Sequence, residues 1–271
     1  MSSAAEFTGS VPERYDQYLG PWLFEPYAAD LAARLPKREG LRVLELAAGT
    51  GIVTRRLREA LPASATLVAT DLNEAMVDYA RSAVGDAGIE WRQADAQALP
   101  FADGSVDIVV CQFGFMFLPD KVQGFREARR VLAPGGLLLA NVWNARDENL
   151  YAQCAQDLLE ELFPDDPPRF LDTPYGYGDH DRLRSDLAEA GWEDVRLEAV
   201  RRQSLAESAE HVALGLTTGS PLSFQLAERG VNVEEVTAEF ARRLVSVGGE
   251  RPFKAELAAT VITGTRSTFP A

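Results

Sequence analysis

From residue 41 onward the chain alternates short apolar runs with amphipathic stretches. Continuous apolar runs predict strands buried on both faces, whereas apolar residues spaced three or four apart predict helices packed by one face. The predicted strands are 41–46, 66–70, 89–94, 106–112, 137–142, 192–203 and 258–265. The predicted helices are 23–35, 52–60, 73–84, 121–132, 150–163, 181–190 and a helical stretch over 206–245 that breaks near 219–221.

This order of elements predicts an α/β fold with about seven strands in one sheet. Strands separated by helix-length connections form right-handed crossovers, which place the strands parallel and cover both sheet faces with helices. The pattern changes near Asn144, where one helix and a Pro-rich stretch replace the alternation. We therefore expect a small helical cap beside the sheet.

Composition limits the class of partner. The chain has 271 residues and a formal net charge of −14, with 46% hydrophobic residues. An acidic surface cannot neutralise phosphates, so we expect neither nucleic acid nor an anionic membrane surface as a partner. The first residues carry no targeting signal, which favours a cytoplasmic protein. Two cysteines, Cys111 and Cys154, have no metal-ligand spacing, so we expect no metal site.

One loop carries a ligand signal. In Val43-Leu44-Glu45-Leu46-Ala47-Ala48-Gly49-Thr50-Gly51 a strand enters a turn of small residues and a helix leaves it. Small residues let the backbone approach a ligand, and a helix N-terminus offers free N–H groups. Asp71 ends the next predicted strand, where a carboxylate can accept both hydroxyls of a ribose.

Three ligands compete for this loop. A P-loop needs Gly-Lys-Ser/Thr, but Ile52 and Val53 follow Gly51, so we exclude it. A dinucleotide fingerprint needs a third glycine where this chain has Thr54, and an NAD(P)-dependent oxidoreductase stays as an alternative. The third ligand is S-adenosylmethionine, which has no phosphate. Glu45 would repel a pyrophosphate but could bind the ammonium of a methionine moiety, directly or through water.

Four segments then follow one another in a familiar order: VLELAAGTG, ATDLNEAMVDYA, QADAQALPFADGSVDIVVCQFGFMFLPD and REARRVLAPGGLLLANVW. Over about 41–143 the chain resembles the class I S-adenosylmethionine-dependent methyltransferase superfamily, and it is similar to the ubiquinone/menaquinone-biosynthesis-type small-molecule methyltransferases. The resemblance implies a Rossmann-like, seven-stranded, mostly parallel sheet with an antiparallel last strand. It also implies S-adenosylmethionine as cofactor, with S-adenosylhomocysteine as product.

The resemblance also implies a division of the chain. We expect an N-terminal helical lid over 1–40, a cofactor-binding core over 41–143 and a cap insertion over 144–180. The segment 181–271 would complete the sheet and carry a further helical insertion over about 206–250. The acceptor would be a small molecule with an O, C or N nucleophile, and the protein a monomer or homodimer. A non-catalytic nucleoside-binding adapter is a further alternative.

Carried over by position, the resemblance implies a cofactor site of Tyr18, Glu45, Ala47, Gly49, Thr50, Gly51, Asp71, Leu72, Met76, Asp95, Ala96 and Gln112. Glu45 and the loop after it would bind the methionine end, and Asp71 the ribose. Leu72 would pack on the adenine and Asp95 would accept from its amino group. Gln112 would lie beneath the sulfonium.

Two positions in that set are conditional. Ala47 stands where the superfamily usually has glycine, and its methyl group is tolerable if the backbone there does not have a positive φ. Tyr18 belongs to an N-terminal segment that folds over the cofactor in similar enzymes, and Tyr15 is the other tyrosine that could provide this cover.

Methyl transfer from a sulfonium is an in-line displacement that positioning can largely catalyse. A base is needed only when the acceptor starts protonated and weakly acidic. His180 is the candidate base, with a plain first-turn helix residue as the alternative. Aromatic residues near the carboxyl ends of strands, or in the irregular stretch beyond, could contact an apolar acceptor; these are Phe113, Phe115, Trp143, Tyr175 and Tyr177.

Overall fold

The computed structural model describes residues 11–268, and its seven strands form one sheet in the order β3-β2-β1-β4-β5-β7-β6. The strands are β1 (Arg42–Glu45), β2 (Thr66–Asp71), β3 (Ile89–Gln93), β4 (Val106–Gln112), β5 (Leu132–Trp143), β6 (Asp194–Ala206) and β7 (Phe253–Thr265). Strands β1 to β5 pair in parallel, and β7 is antiparallel to both β5 and β6. The predicted α/β fold with an antiparallel last strand is confirmed.

Eleven α-helices lie in the described part of the chain. They are α1 (Val11–Tyr18), α2 (Glu25–Ala33), α3 (Ile52–Ala60), α4 (Glu74–Val84), α5 (Lys121–Val131), α6 (Leu150–Leu162), α7 (Asp172–Tyr175), α8 (His180–Glu189), α9 (Ala209–Thr218), α10 (Leu222–Glu228) and α11 (Val233–Gly248). A π-helix (Gly20–Phe24) joins α1 to α2, and a 3₁₀ turn (Phe115–Phe117) follows β4. Side-chain caps set several starts: Asn73 accepts from Ala75 N before α4, and Asp120 accepts from Gln123 N before α5.

Residues 133–136, which the apolar pattern assigns to no element, belong to β5. Glycines at 135 and 136 pair with Arg266, which donates to Gly136 O at 2.9 Å and accepts from Gly135 N at 2.8 Å. Strand β5 therefore begins at Leu132, five residues before the predicted start. Strands β6 and β7 also exceed their predicted lengths, because they pair with each other over 13 residues each. Long-range pairing sets these boundaries.

One group of helices that pack on each other comes from three stretches of sequence. Helix α9 packs against α1, α10 and α11, and α11 packs against α6. One polar link in this group joins the hydroxyls of Thr217 and Thr237, which are 2.7 Å apart between α9 and α11. Residues from the expected lid, cap insertion and C-terminal insertion thus form one helical group. Within 11–268, no helix is both long and apolar enough to span a membrane.

Candidate functional site

A cavity of about 360 Å³ opens at the carboxyl ends of β1, β2 and β4. Parallel strands bring the loops that follow them to the same sheet edge, so segments far apart in sequence meet there. The walls are Tyr15, Ala47, Gly49, Asp71, Leu72, Asn73, Met76, Ala94, Asp95, Ala96, Gln97, Gln112, Phe113, Gly114, Phe117, Leu118 and Pro119. Asp71 and seven other positions of the predicted cofactor site therefore line one cavity.

Asp71 ties the loops after β1 and β2 together. Its Oδ2 accepts from Gly49 N at 2.9 Å, and its Oδ1 accepts from Asn73 N, also at 2.9 Å. Burial raises the pKa of the Asp71 carboxyl, and backbone donors from Asn73, Gly49 and Leu72 oppose that rise. The carboxylate is fixed by backbone on both oxygens and still faces the cavity, which is the arrangement that a ribose-binding acid needs.

The wall beyond Asp71 is apolar with a polar edge. Leu72 leaves 42% of its surface exposed although its side chain is large and apolar, and Met76 is a buried residue of the same wall. Asp95 Oδ1 accepts from Gln97 N at 2.8 Å, so a backbone N–H two residues along the chain orients this carboxylate. A flat apolar surface next to an oriented acceptor suits a purine with an exocyclic amino group.

The loop after β1 contains a strained alanine. Ala47 has a φ of 52°, so the condition under which its methyl group is tolerable without cost fails. A left-handed conformation costs an L-residue roughly 1–2 kcal/mol. Gly114 leaves the space that this methyl group fills, because a Cβ atom on Gly114 would lie 2.6 Å from Ala47 Cβ. The loops after β1 and β4 therefore interlock at the cavity floor.

Gly51 has a packing role. A Cβ atom there would lie 2.8 Å from Val84 and 3.3 Å from Trp91, and its φ of 85° also favours glycine. Gly51 is the N-cap of α3 and lets that helix pack against α4 and β3. The structure does not place it in the cavity wall, unlike Gly49, which lies beside Asp71.

A second, smaller cavity of about 40 Å³ continues from the first toward α3. Tyr15, Ala47, Gly49 and Gln112 line both cavities and therefore form the junction between them. The smaller cavity is otherwise walled by Phe24, Ala48, Thr50, Ile52 and Val53.

Thr50 and Gln112 in the cavity walls, and Glu45 at the end of β1, which lines neither cavity, carry buried oxygen atoms without hydrogen-bond partners. They are Glu45 Oε2, Thr50 Oγ1 and Gln112 Oε1. Glu45 is 1% exposed at the end of β1, and burial raises the pKa of its carboxyl to about 8, with a further rise from Asp71 and an opposing effect of Thr54. Unpartnered buried polar atoms are costly, so a bound polar group is the natural partner for these three.

Phe113 is a buried residue of the cavity wall with an unusual backbone conformation. It has a φ of 53°, and its N–H donates to both the backbone O and the side-chain Oδ1 of Asn141, at 3.1 and 2.9 Å. Its ring stacks on Trp143, with ring centres 3.8 Å apart and planes 7° apart. Asn141 and Trp143, two residues apart on β5, therefore hold the backbone and the ring of Phe113.

Four other predicted acceptor contacts lie away from the cavity wall. Phe115 is fully buried and stacks on Phe125, and Trp143 is buried behind Phe113. Tyr175 is hydrogen-bonded to Tyr151 through their hydroxyls at 2.5 Å. Tyr177 donates to Asp186 at 2.6 Å. Each of these four side chains packs against or bonds to another part of the protein. Of the predicted acceptor contacts, only Phe113 is among the cavity-lining residues of the described chain, which also include Phe117, Leu118 and Pro119.

His180, the candidate base, does not line either cavity. Its Nε2 lies 2.8 Å from Thr260 Oγ1, which itself donates to Asn144 Oδ1 at 2.8 Å. The Thr260 oxygen therefore accepts from His180, and the histidine serves a structural polar network. In the described chain, no group of three or more His, Cys, Asp or Glu side chains is placed to hold a metal ion.

The N-terminal segment supplies Tyr15 to the cavity, and Tyr18 lies elsewhere. Tyr15 stacks on Phe24 with ring centres 4.7 Å apart, whereas Tyr18 packs edge-on against His211 in α9. Helical spacing separates the two tyrosines by three residues, and only packing of α1 on its neighbours decides which one faces the site. Of the other wall residues that sequence reasoning missed, Gln97 and Phe117 to Pro119 follow strand ends, which is a usable signal.

Comparisons with known proteins relate this chain to methyltransferases. Residues 44–140 match a family described as a methyltransferase domain. A ubiquinone/menaquinone biosynthesis C-methyltransferase of Hahella chejuensis is 34% identical over 168 residues, which are 57% of this chain and 68% of that protein. The corresponding protein of Shewanella sp. strain W3-18-1 is 31% identical over 172 residues, covering 58% and 68%.

Solved structures show the fold more widely. A phosphoethanolamine N-methyltransferase of Haemonchus contortus, in complex with S-adenosyl-L-methionine, superposes with a TM-score of 0.63 at 16% identity, covering 97% of this chain and 58% of that one. The [4+2]-cyclase SpnF superposes with a TM-score of 0.58 at 17% identity, covering 90% and 82%. At such identities the likeness concerns the fold alone, and the two names show that this fold hosts different reactions.

Proposed function

This chain belongs to the class I S-adenosylmethionine-dependent methyltransferase superfamily, and from that membership we propose that it methylates a small, apolar, uncharged acceptor held beside Phe113. We propose a ring carbon of an electron-rich hydroxylated aromatic as the attacked atom, with O and N nucleophiles as alternatives. The observation that carries the proposal is the Asp71 carboxylate, fixed by Gly49 and Asn73 in the wall of the larger cavity.

The residues present suit S-adenosylmethionine along its whole length. Leu72 and Met76 offer an apolar surface for adenine, and Asp71 offers oxygens for the ribose hydroxyls. At the other end, the buried Glu45 carboxyl, whose pKa is raised to about 8, would lose its proton on binding the methionine ammonium and become its charge partner. When bound, this cofactor supplies a methyl group on a positively charged sulfur that a nucleophile can displace in line.

The acceptor side argues for an uncharged molecule. Phe113, Phe117, Leu118 and Pro119 give apolar walls, and the described residues that line the two cavities include no Lys, Arg or His. No described lining side chain would offset the repulsion of an anionic acceptor by Asp71 and Asp95, and positive charge nearby would come from the bound cofactor alone. The C-methyltransferase names of the 34% and 31% identical relatives support carbon as the attacked atom.

The same lining defines what the protein does during transfer. Asp71 and Asp95 are engaged by backbone N–H groups, so among the described wall residues neither is placed as a free general base. The chain would act by binding both reactants in a fixed geometry and excluding water, with Tyr15 over the site and Ala47 and Gln112 in its floor. Orientation of this kind can supply on the order of 7–11 kcal/mol of barrier reduction.

Calorimetric titration with S-adenosylhomocysteine tests the cofactor half of the proposal. We expect saturable one-to-one binding and an upward shift of the unfolding temperature, since a ligand that binds only the folded state stabilises it. NAD at the same concentration serves as the control and should produce neither signal. Absence of binding by the unmodified chain at millimolar S-adenosylhomocysteine would contradict the proposal.

A panel of acceptors with methyl-labelled donor tests the acceptor half. The panel should pair each neutral hydroxylated aromatic with its carboxylated counterpart, so that only the charge differs. We expect label transfer to the neutral member and little to the carboxylated one, with the label on carbon when the product is analysed by NMR. Preferential labelling of the anionic members would contradict the assignment of an uncharged acceptor.

A further inference from the structure

Asn141 is a polar residue in a buried, apolar part of β5. Its side chain is completely buried, and so are its strand neighbours Ala140 and Val142. Its Nδ2 has no hydrogen-bond partner in the described chain, which is a cost that an apolar side chain would avoid. The gain that offsets this cost comes from the other polar atom, Oδ1, which accepts from the N–H of Phe113 at 2.9 Å.

This bond holds a backbone conformation that phenylalanine disfavours. Phe113 has a φ of 53°, in the left-handed region that bulky L-residues rarely adopt. Its N–H also donates to the backbone O of Asn141 at 3.1 Å, so two acceptors on one residue fix the direction of the N–H bond. Without Oδ1 this hold would weaken, and the ordinary preference against the left-handed region corresponds to roughly a five- to thirtyfold bias toward negative φ.

The ring of the same residue is held by other aromatic side chains. Phe113 stacks on Trp143, and Tyr27 meets both rings edge-on, with ring centres 5.4 and 5.3 Å away. Tyr27 is in turn anchored to the sheet, because its hydroxyl donates to Val200 O at 3.0 Å. Ring packing and the bond to Asn141 therefore fix Phe113 from its side-chain end and from its backbone end.

We propose that Asn141 is a positioning residue for the acceptor, which acts by keeping the ring of Phe113 in the cavity wall. This inference rests on the proposed function, in which the acceptor lies beside Phe113. It assigns acceptor selectivity to a residue that lines neither cavity. An apolar acceptor gains affinity from the apolar surface that it buries, so a ring that leaves the wall removes contact area and changes the shape of the site.

Fluorine NMR of the full chain labelled with 5-fluorotryptophan tests the position of the ring in the absence of ligand. The chain has four tryptophans, and Trp143→Phe assigns the resonance of the one that stacks on Phe113. We expect Asn141→Leu to move this resonance toward its position in Phe113→Gly, because a ring that leaves the stack takes its ring current with it. Thr217→Val is the matched control, since it removes another buried polar group that lines neither cavity, and it should leave the resonance in place. An unchanged Trp143 resonance in Asn141→Leu would overturn the inference.

Calorimetric titration with 1-naphthol, a neutral hydroxylated aromatic, tests the effect on the acceptor at saturating S-adenosylhomocysteine. We expect 1-naphthol to bind about tenfold more weakly to Asn141→Leu than to the unmodified chain. In Phe113→Gly, which has no ring to position, adding Asn141→Leu should cause no further loss. A full further loss there would overturn the inference, because Asn141 would then act through something other than Phe113. Failure of the unmodified chain to bind 1-naphthol would count against the proposed function, and the fluorine resonance would still decide the role of Asn141.

Asn141→Asp separates the two polar atoms of the side chain and replaces Asn141→Leu if that variant does not fold. At about pH 5 a buried carboxyl stays protonated, so it keeps an oxygen for the N–H of Phe113 and has a hydroxyl in place of the unpartnered Nδ2. We expect the Trp143 resonance and the affinity for 1-naphthol to stay close to those of the unmodified chain at the same pH. Changes as large as those expected for Asn141→Leu would show that the oxygen does not position Phe113, and would overturn the inference.

Discussion

The two ends of the proposed cofactor site hold their polar groups in opposite ways. At the end proposed for the nucleoside, Asp71 and Asp95 accept backbone N–H bonds and present oxygens that are already oriented. At the end proposed for the methionine, Glu45 Oε2, Thr50 Oγ1 and Gln112 Oε1 are buried without hydrogen-bond partners. The first end is preorganised, whereas the second carries a desolvation cost that a bound ligand would relieve.

This difference predicts how each end responds to ligand. Preset oxygens bind without rearrangement or proton exchange, so the nucleoside end should contribute affinity that changes little with pH. The methionine end holds a carboxyl whose pKa is raised to about 8, so binding an ammonium there must be coupled to loss of a proton. Four substitutions test this difference between the two ends, and they follow in order of expected effect.

The largest effect should follow loss of Asp71. Asp71→Ala removes the proposed ribose acceptor and strands the N–H groups of Gly49 and Asn73, so S-adenosylhomocysteine should bind about 3 kcal/mol more weakly by calorimetry. Asp78→Ala is the control, because Asp78 lies on α4 with its side chain 66% exposed. Equal affinities in the two variants would show that the preset end does not bind the nucleoside.

Next in size is a methyl group added where the two ends meet. Gly114→Ala places a Cβ 2.6 Å from both Ala47 Cβ and Cys111 Sγ, and overpacking of this kind should lower the free energy of unfolding by about 2 kcal/mol. Chemical denaturation measures the loss. Adding Ala47→Gly should recover more stability than Ala47→Gly gains by itself, because only the contact with Cys111 then persists. Additive effects of the two substitutions would mean that the floor does not interlock.

Glu45→Gln should change how the stability of the ligand-free chain depends on pH. The folded-state pKa of Glu45 is raised from 4.5 to about 8, so its contribution to stability is complete below about pH 4.5 and is lost as pH rises through 8. The free energy of unfolding of the ligand-free chain should therefore fall over that window, and it should fall less in Glu45→Gln. Denaturation at several pH values measures both changes.

The same substitution should change ligand binding. At pH 7 the unmodified chain should release close to one proton on binding S-adenosylhomocysteine, seen as a binding enthalpy that depends on the ionisation enthalpy of the buffer. Glu45→Gln should abolish that dependence and weaken binding by about 1–2 kcal/mol, because the ammonium keeps a hydrogen bond but loses a charge partner. A buffer-independent enthalpy in the unmodified chain would contradict the assignment of Glu45.

The smallest effect concerns the strained alanine. Ala47→Gly relieves a φ of 52° and should raise the free energy of unfolding by about 0.5–1 kcal/mol, after the greater flexibility of glycine in the unfolded chain is allowed for. Ala48→Gly, one residue along and without a positive φ, should lower it by about as much. The same sign in both variants would show that backbone strain at Ala47 is not the cause.

Much of the cofactor end could be predicted because its signals are local. Ala47, Gly49, Asp71 and Asp95 each lie next to the end of a strand that periodicity alone defines, and parallel strands bring their carboxyl ends to one edge. The structure places Asp71 in the cavity wall, and its binding of a ribose stays a prediction.

The acceptor side could not be predicted residue by residue, because phenylalanines at equal spacing in the sequence have different locations in the fold. Phe113, Phe115 and Phe117 alternate after β4, yet Phe113 and Phe117 line the cavity and Phe115 stacks on Phe125 in the core. Strand alternation does not apply there, because β4 ends at Gln112 and Phe115–Phe117 is a 3₁₀ turn. The positive φ of Phe113 is held by a hydrogen bond to Asn141, which is 28 residues away. No local pattern records that bond.

The sequence by itself determined the fold class, the family and the carboxylates of the nucleoside end, because apolar periodicity, turn residues and strand ends are properties of neighbouring residues. Only the tertiary structure decided that Tyr15 rather than Tyr18 lines the site, that His180 bonds to Thr260, and that Gln112 lies at the junction with an unpartnered oxygen. Each of these depends on which surfaces of distant segments meet, and packing of the whole chain sets that.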